Sequence, residues 1–282
     1  MSAATPSGDA SGLPMPDADL LARIDTTVAH PARRYNYWLG GKDNFAVDRA
    51  SGDLIAGRFP AAPAAARANR AFAGRAVQYL ARRGIRQFLD IGTGLPGPGN
   101  THEIAQRIDP LSRVVYVDND PIVLAHARAL LTAAAPDTVA YLDRDLRDPD
   151  SILHDQVLTA TLDLTRPVAV LLVAVLHFID HPDPHHIVAR LRQALAPGSY
   201  VVISHGTADF LDIQAKAALP GLTARDAAGF YPRSRDDLLA LLDGLGLVEP
   251  GLVSVIDWHN PVEPGPFTAE QIGVYGAVAR VP

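Results

Sequence analysis

Carboxylates stand after successive apolar runs in this chain, each where a strand would end. Asp90 sits in Asp90-Ile91-Gly92-Thr93-Gly94-Leu95-Pro96-Gly97, at the close of a short run over residues 87–91. Glycines placed there let the backbone turn off a strand and approach a ligand with no Cβ in the way, and the N-terminus of the helix that follows can take an anionic group. Asp118 ends Val115-Tyr116-Val117, where a carboxylate can accept two hydrogen bonds from ribose hydroxyls. Asp120, just before Pro121, reads as a helix cap. Asp145-Leu146 follows the run at 139–142 and can meet the exocyclic amine and a ring nitrogen of adenine, with Asp143 as the competing carboxylate. Together these residues describe a site for an adenosine compound.

Gly92, Gly94 and Gly97 also satisfy G-x-G-x-x-G, which fits NAD as readily as S-adenosylmethionine. Asp90 separates the two. A carboxylate two residues before the first glycine repels a pyrophosphate but favours a sulfonium and an ammonium; its alternative role is to cap the loop. The cofactor contacts expected are therefore Asp90, Gly92, Thr93, Gly94, Asp118, Asn119, Asp145, Leu146 and Ala174. Methyl transfer from a sulfonium needs alignment and exclusion of water above all. A base is needed only if the acceptor must lose a proton, and His177, after the run at 168–175, is the candidate; a histidine that merely lines the pocket is the other reading.

Residues 35–45 combine aromatics, paired glycines and one of the chain's two lysines, Lys42. They read as a lid or pocket wall over the methionine end of the cofactor, with Tyr37, Lys42 and Asn44 as cofactor contacts and Tyr35 as a second catalytic candidate. A turn with aromatic packing is the alternative. His181, His185 and His186 do not make a metal site, because Pro182 and Pro184 break helical ligand spacing, and no metal is expected.

These side chains must be held by elements whose periods are visible. Residues 1–18 are rich in Ser, Gly, Pro, Ala and Asp and read as a disordered tail. A helical segment over 19–84 follows, with a short helix at 19–29 and a long one at 61–83 closed by Gly84. From 85 strands and helices alternate, which implies a parallel sheet with helices on both faces; Asn100 and Glu103 read as a capping box. At the end, residues 248–257 and 272–279 read as long strands with no helical crossover between them, so they must pair antiparallel. The expected fold is α/β and Rossmann-like: a mostly parallel seven-stranded sheet with an antiparallel final strand, a catalytic domain over 85–282, and an insertion at 205–232 beside the acceptor site.

The totals exclude several classes. The 282 residues carry a net charge of −6 and no long basic run, so no nucleic-acid partner is expected. There is no cysteine, which removes disulfides and thiolate chemistry. The longest apolar run, 168–176, is too short to span a bilayer, and the N-terminal residues show no basic and apolar regions, so no secretory signal is expected; a cytoplasmic location without membrane attachment is expected.

Asp-x-Gly-x-Gly at 90–94, Asp118, Asp145-Leu146, Val175-Leu176-His177-Phe178 and Leu195-x-Pro-Gly-x-Tyr-Val-Val-Ile resemble class I S-adenosylmethionine methyltransferases. The stretch Arg34-Tyr35-Asn36-Tyr37-Trp38-Leu39-Gly40-Gly41-Lys42-Asp43-Asn44-Phe45 is similar, more narrowly, to the N-terminal signature of an actinobacterial family of these enzymes, as are Tyr231-Pro232-Arg233-Ser234 and Glu249-Pro250-Gly251-Leu252-Val253. The resemblance implies S-adenosylmethionine as cofactor and names no acceptor. Ala174-Val175-Leu176-His177 replaces the Asn-Pro-Pro-Tyr motif used for amino groups of bases or glutamine, so a small-molecule acceptor is expected. An S-adenosylmethionine-binding protein without catalysis and an NAD-linked oxidoreductase are the alternatives.

Overall fold

Strands buried on both faces read as continuous apolar runs, and five such runs form the centre of this molecule. The computed structural model describes residues 23–131, 137–180, 184–224, 226, 228–261 and 265–282. Helices α1 (Pro31–Trp38), α2 (Ala46–Arg58) and α3 (Ala62–Arg82) come first. Then follow β1 (Gln87–Ile91), α4 (Thr101–Ile108), β2 (Arg113–Asp118), α5 (Pro121–Leu131), β3 (Val139–Asp143), α6 (Pro149–Leu153), α7 (Gln156–Thr161) and β4 (Ala169–Val173). A 3-10 turn at Leu176–Phe178 leads to α8 (Pro184–Gln193), β5 (Tyr200–Gly206), α9 (Ile213–Leu222) and α10 (Arg235–Leu241). The chain closes with β6 (Gly246–Leu247), β7 (Val253–Ser254), α11 (Ala269–Ile272) and β8 (Val274–Arg280).

The sheet runs β3-β2-β1-β4-β5-β8-β6, with β7 also paired to β8. The first five of these are parallel, and β8 is antiparallel to β5, β6 and β7. This is the Rossmann-like arrangement expected. Alternate residues of each strand serve opposite faces. Leu89, Ile91, Val115, Val117, Val170 and Leu172 meet Ile152, Leu158, Ile187 and Leu238 on one side. Phe88, Val114, Ala169 and Leu171 meet Phe72, Leu80 and Trp258 on the other. Helix α3 thus packs against the sheet along its Phe72-Ala76-Val77-Leu80 stripe.

Several local expectations need correction. No helix occupies residues 23–29; Asp25 instead accepts the Thr27 N–H in a turn (2.7 Å), and residues 1–22 lie outside the described residues. The first helix starts later, at Pro31, a first-turn position where the missing N–H of proline costs nothing. Asn100 does not cap α4 with its side chain; it accepts from Gly97 N, and Glu103 reaches past it to Gly99 N (2.9 Å). Of the long strand expected at 248–257 only Val253–Ser254 is strand, with the short β6 at Gly246–Leu247 just before it, because Pro250 has no N–H for a ladder and Gly251 adopts φ +86. The described sheet therefore has eight strands rather than seven.

Candidate active site

The carboxyl edge of a parallel sheet is where loops diverge and ligands bind. Here that edge opens into a cavity of about 400 Å³, within the roughly 300–1,000 Å³ common for small-molecule sites. Asp90, Gly92, Thr93, Gly94, Asp118, Asn119, Asp145, Leu146, Ala174, His177 and Tyr35 all line it. Gly92 is at φ +72, and a Cβ there would stand 2.4 Å from the Val175 side chain, so no other residue fits without displacing Val175. Its N–H donates to Val117 O (2.8 Å), which ties the glycine loop to β2. Ala174, the residue after β4, holds the left-handed conformation at φ 54 and donates to Ser204 Oγ (2.9 Å), a strained position at the head of the cavity.

The carboxylates differ in what they already hold. Asp118 accepts from Gly94 N (2.8 Å) and Asp120 N (2.9 Å), and burial raises its pKa against those bonds. Asp90 accepts from the Thr101 hydroxyl (2.6 Å); burial pushes it up to about 6, opposed by that bond and by Arg70. Asp145 is lowered despite its burial, because Arg147 N–H, Asn119 Nδ2 and the Arg147 guanidinium all donate to it. Asp143, its sequence competitor, is engaged by Arg23 (2.5 Å) and does not line the cavity.

Near Asp90 the wall carries groups that sequence reading missed. Asn69 is buried; its Nδ2 donates to Tyr35 Oη (2.9 Å), and its Oδ1 has no partner. The Tyr35 hydroxyl donates in turn to Ala66 O (2.8 Å), and burial pushes its pKa up to about 12. Tyr35 therefore holds its proton on a backbone carbonyl and offers no base. Tyr35 on α1 and Asn69 on α3 are 34 residues apart in the chain, so no local motif could announce the pair.

The other half of the cavity is apolar. Ile55 from α2, Phe59 just after it, Leu219 and Leu222 from α9, and Phe210 and Phe230 from the segment around α9 line it. Above it Arg34 and Ser51 both donate to Asp226, a buried contact that ties α1 and α2 to the segment after α9. His177 stands between the halves. Its Nδ1 accepts the Gly206 N–H (3.1 Å), and burial, with His205 and Arg233 nearby, holds its pKa well below the usual imidazole range. His205 donates from Nδ1 to Gly206 O (2.8 Å) and faces Arg233 Nη1 at 3.0 Å. Arg233 also donates to Leu176 O and Ile179 O, pinning the 3-10 turn.

Tyr37, Lys42 and Asn44 do not reach the cavity, contrary to expectation. Tyr37 points out to Asp53 (2.8 Å), and Lys42 is exposed. Asn44 is spent on Asn36 Oδ1 and Gly41 O, locking the turn between α1 and α2. Within the helix at 31–38 Arg34, Tyr35, Asn36 and Trp38 line the cavity while Tyr37 does not, and Lys42 and Asn44 lie in the turn that follows it. His181 lies outside the described residues. Among the described residues no cluster is placed to hold a metal ion, and no helix is long and apolar enough to cross a membrane.

The chain matches the S-adenosyl methyltransferase family over residues 17–282. It is 47% identical to a DUF574 family protein from Streptomyces avermitilis MA-4680, with TM-score 0.87, 92% of this chain covered and 100% of that one. It is 36% identical to a candidate methyltransferase from Thermobifida fusca YX, with TM-score 0.85 and 95% and 98% of the two chains covered. An O-methyltransferase family protein from Burkholderia thailandensis, 13% identical with TM-score 0.51 over 93% and 68% of the two chains, shares the fold. No curated protein matches the chain.

Proposed function

The chain belongs to the S-adenosyl methyltransferase family, and on that premise we propose that it methylates a small apolar molecule held beside the cofactor under α1, α2 and α9. The enzyme is an S-adenosylmethionine-dependent methyltransferase. When bound, S-adenosylmethionine supplies a methyl group on a sulfonium sulfur that is open to in-line displacement.

The residues present fit that cofactor. The unpartnered Asn69 Oδ1 and the Asp90 carboxylate both line the cavity, and both accept; an ammonium bound there would suit them and return Asp90 to its charged form. We assign Asp118, with Asn119, to the ribose hydroxyls, and Asp145 with the Leu146 amide to adenine. Gly92 and Gly94 give the backbone close approach, with Thr93 between them. Arg70, which holds Asn100 (3.0 Å) beside Asp90, supplies the positive charge for a carboxylate at the same end. Residues 19–84 contribute the lid through α1 and α2, and the segment after β5 closes the acceptor side. We place the protein in the cytoplasm.

The observation that carries this reading is that carboxylates and apolar walls share one cavity. An NAD-linked reading would put Asp90 against a pyrophosphate. Calorimetric titration with S-adenosylmethionine, S-adenosylhomocysteine and NAD, beside Asp118→Ala, tests it. Binding of the first two is expected, weakened at least about tenfold in the variant, with thermal melting to check that the variant folds. Binding of NAD alone would refute it.

A further inference from the structure

We propose that His177 is a hydrogen-bond donor to the methyl acceptor and not its base, and that the acceptor is a small apolar molecule that arrives with an ionised oxygen, a carboxylate or an acidic phenol or enol. This rests on the methyltransferase reading above. The argument begins with the backbone. Gly206 N–H donates to His177 Nδ1 at 3.1 Å, so Nδ1 is an acceptor and the proton of the neutral ring is on Nε2. The contact is held from both sides. Gly206 O accepts from His205 Nδ1, His205 faces Arg233, and the peptide of Tyr231 donates to His177 O (2.8 Å). Turning the ring to free Nδ1 would strand the Gly206 N–H in a buried position, at the cost of an unmet donor. Phe178 and Phe230 pack on the ring with centroids at 4.4 and 5.1 Å. The Phe230 ring fits only because residue 206 lacks a Cβ, which would meet it at 2.6 Å.

The ring therefore presents Nε2–H to a cavity occupant. The groups that act on it from the surrounding elements are His205 on β5, Arg233 before α10 and Arg34 on α1, and all three disfavour a positive charge on it. No carboxylate on the acceptor side replaces it as a base. The acids lining the cavity among the described residues are Asp90, Asp118 and Asp145 at the other end and the exposed Glu270 at the mouth. The Tyr35 proton is committed to Ala66 O.

That donor selects its partner. A neutral amine has one lone pair, and a hydrogen bond from Nε2–H would tie up the pair needed for attack. An anionic oxygen has several, so it can accept from His177 with one and attack with another. The attacking pair forms the new O–CH₃ bond while the S–CH₃ pair leaves with sulfur. An anion and a sulfonium become a neutral ether or ester and a neutral thioether, and no proton has to be removed. The walls at Ile55, Phe59, Phe210, Leu219 and Phe230 fit an apolar, ring-sized body.

The test uses the full chain, labelled with ¹⁵N and loaded with S-adenosylhomocysteine. Long-range ¹H–¹⁵N spectra read the side-chain imidazoles, with His177 assigned by its loss in His177→Phe. The expected result is a neutral ring protonated at Nε2 from about pH 6 to about pH 8. Benzoate should then shift the His177 Nε2–H signal and bind about tenfold more tightly than benzyl alcohol or benzylamine. That preference should vanish in His177→Phe and persist in His177→Gln, which keeps a donor. A proton on Nδ1, a ring that titrates in this range, benzoate that leaves the signal unmoved, or equal binding of the neutral and cationic probes would each overturn the proposal. Failure of S-adenosylhomocysteine to bind would instead remove the methyltransferase reading beneath it.

Discussion

The two ends of the cavity are built in opposite ways. The end that holds Asp90, Asp118 and Asp145 is made of strand termini, each carboxylate placed by its strand, with Asp118 and Asp145 held by backbone N–H groups of neighbouring loops. The acceptor end is made of helices and a segment tied together by partners distant in the chain, Arg34 with Asp226 and His177 with Gly206. Asp90 is the exception in being held by the Thr101 hydroxyl at the start of α4, and the first end as a whole is set by the sheet and shares its stability. The second is a cap whose position depends on a few buried polar contacts, and such regions open at lower free energy than the sheet they cover.

The sharpest way to break this comparison is Asp226→Ala. Removing one partner of a buried ion pair typically costs about 3–5 kcal/mol, here spent on the cap. Amide exchange should quicken in α1, α2 and α9 while β1, β2 and β4 stay protected, and Arg34→Met with Asp226→Leu should restore much of the protection. Equal loss in the sheet would mean that the two ends are one cooperative unit.

Asp90→Asn is expected to act less strongly and in two directions. The folded pKa of Asp90 is about 6, above the ordinary carboxylate value. Its contribution to stability is therefore fully present below that ordinary value and is lost as pH rises through about 6. In the ligand-free protein at pH 7 the variant should be more stable by roughly 1–2 kcal/mol, allowing for water in the cavity. Its affinity for S-adenosylmethionine should fall about tenfold, and the rise in wild-type affinity across pH 6 should disappear. Thermal melting and calorimetry on either side of pH 6 read both effects. A variant that is less stable and binds as before would remove Asp90 from the site.

Lys42→Ala and Tyr37→Phe should do least. Both side chains face away from the cavity, so changes within about 0.5 kcal/mol in stability and unchanged affinity for S-adenosylhomocysteine are expected by the same measurements. A clear loss of affinity would return the α1–α2 turn to the cofactor site.

The same contrast explains what the sequence made legible. Strand order, the glycine loop and its carboxylates could be read because each depends on neighbours in the chain: an apolar run, then glycine or aspartate. The antiparallel closure was legible from the absence of a crossover, but the break at Pro250 and Gly251 divided the expected strand. In the cap, aromatics and glycines marked residues 35–45 as unusual without saying which side faces in. Once α1 is a helix, Arg34 and Tyr35 point to the cavity and Tyr37 does not. Asn69, His205 and Asp226 carried no local signal, and Arg233 carried only its place in the Tyr231–Ser234 stretch, since each acquires its role from a partner far away in the chain.

The position of β8 has a consequence for assembly. It lies between β5 and the short β6 and β7, so the last strand in sequence is an interior strand in space. Until it docks, the buried and apolar β5 is an open edge with unpaired backbone groups, the kind that joins other chains. Closure of the sheet is thus a late, long-range event, and the interval before it is when this protein is most exposed to aggregation.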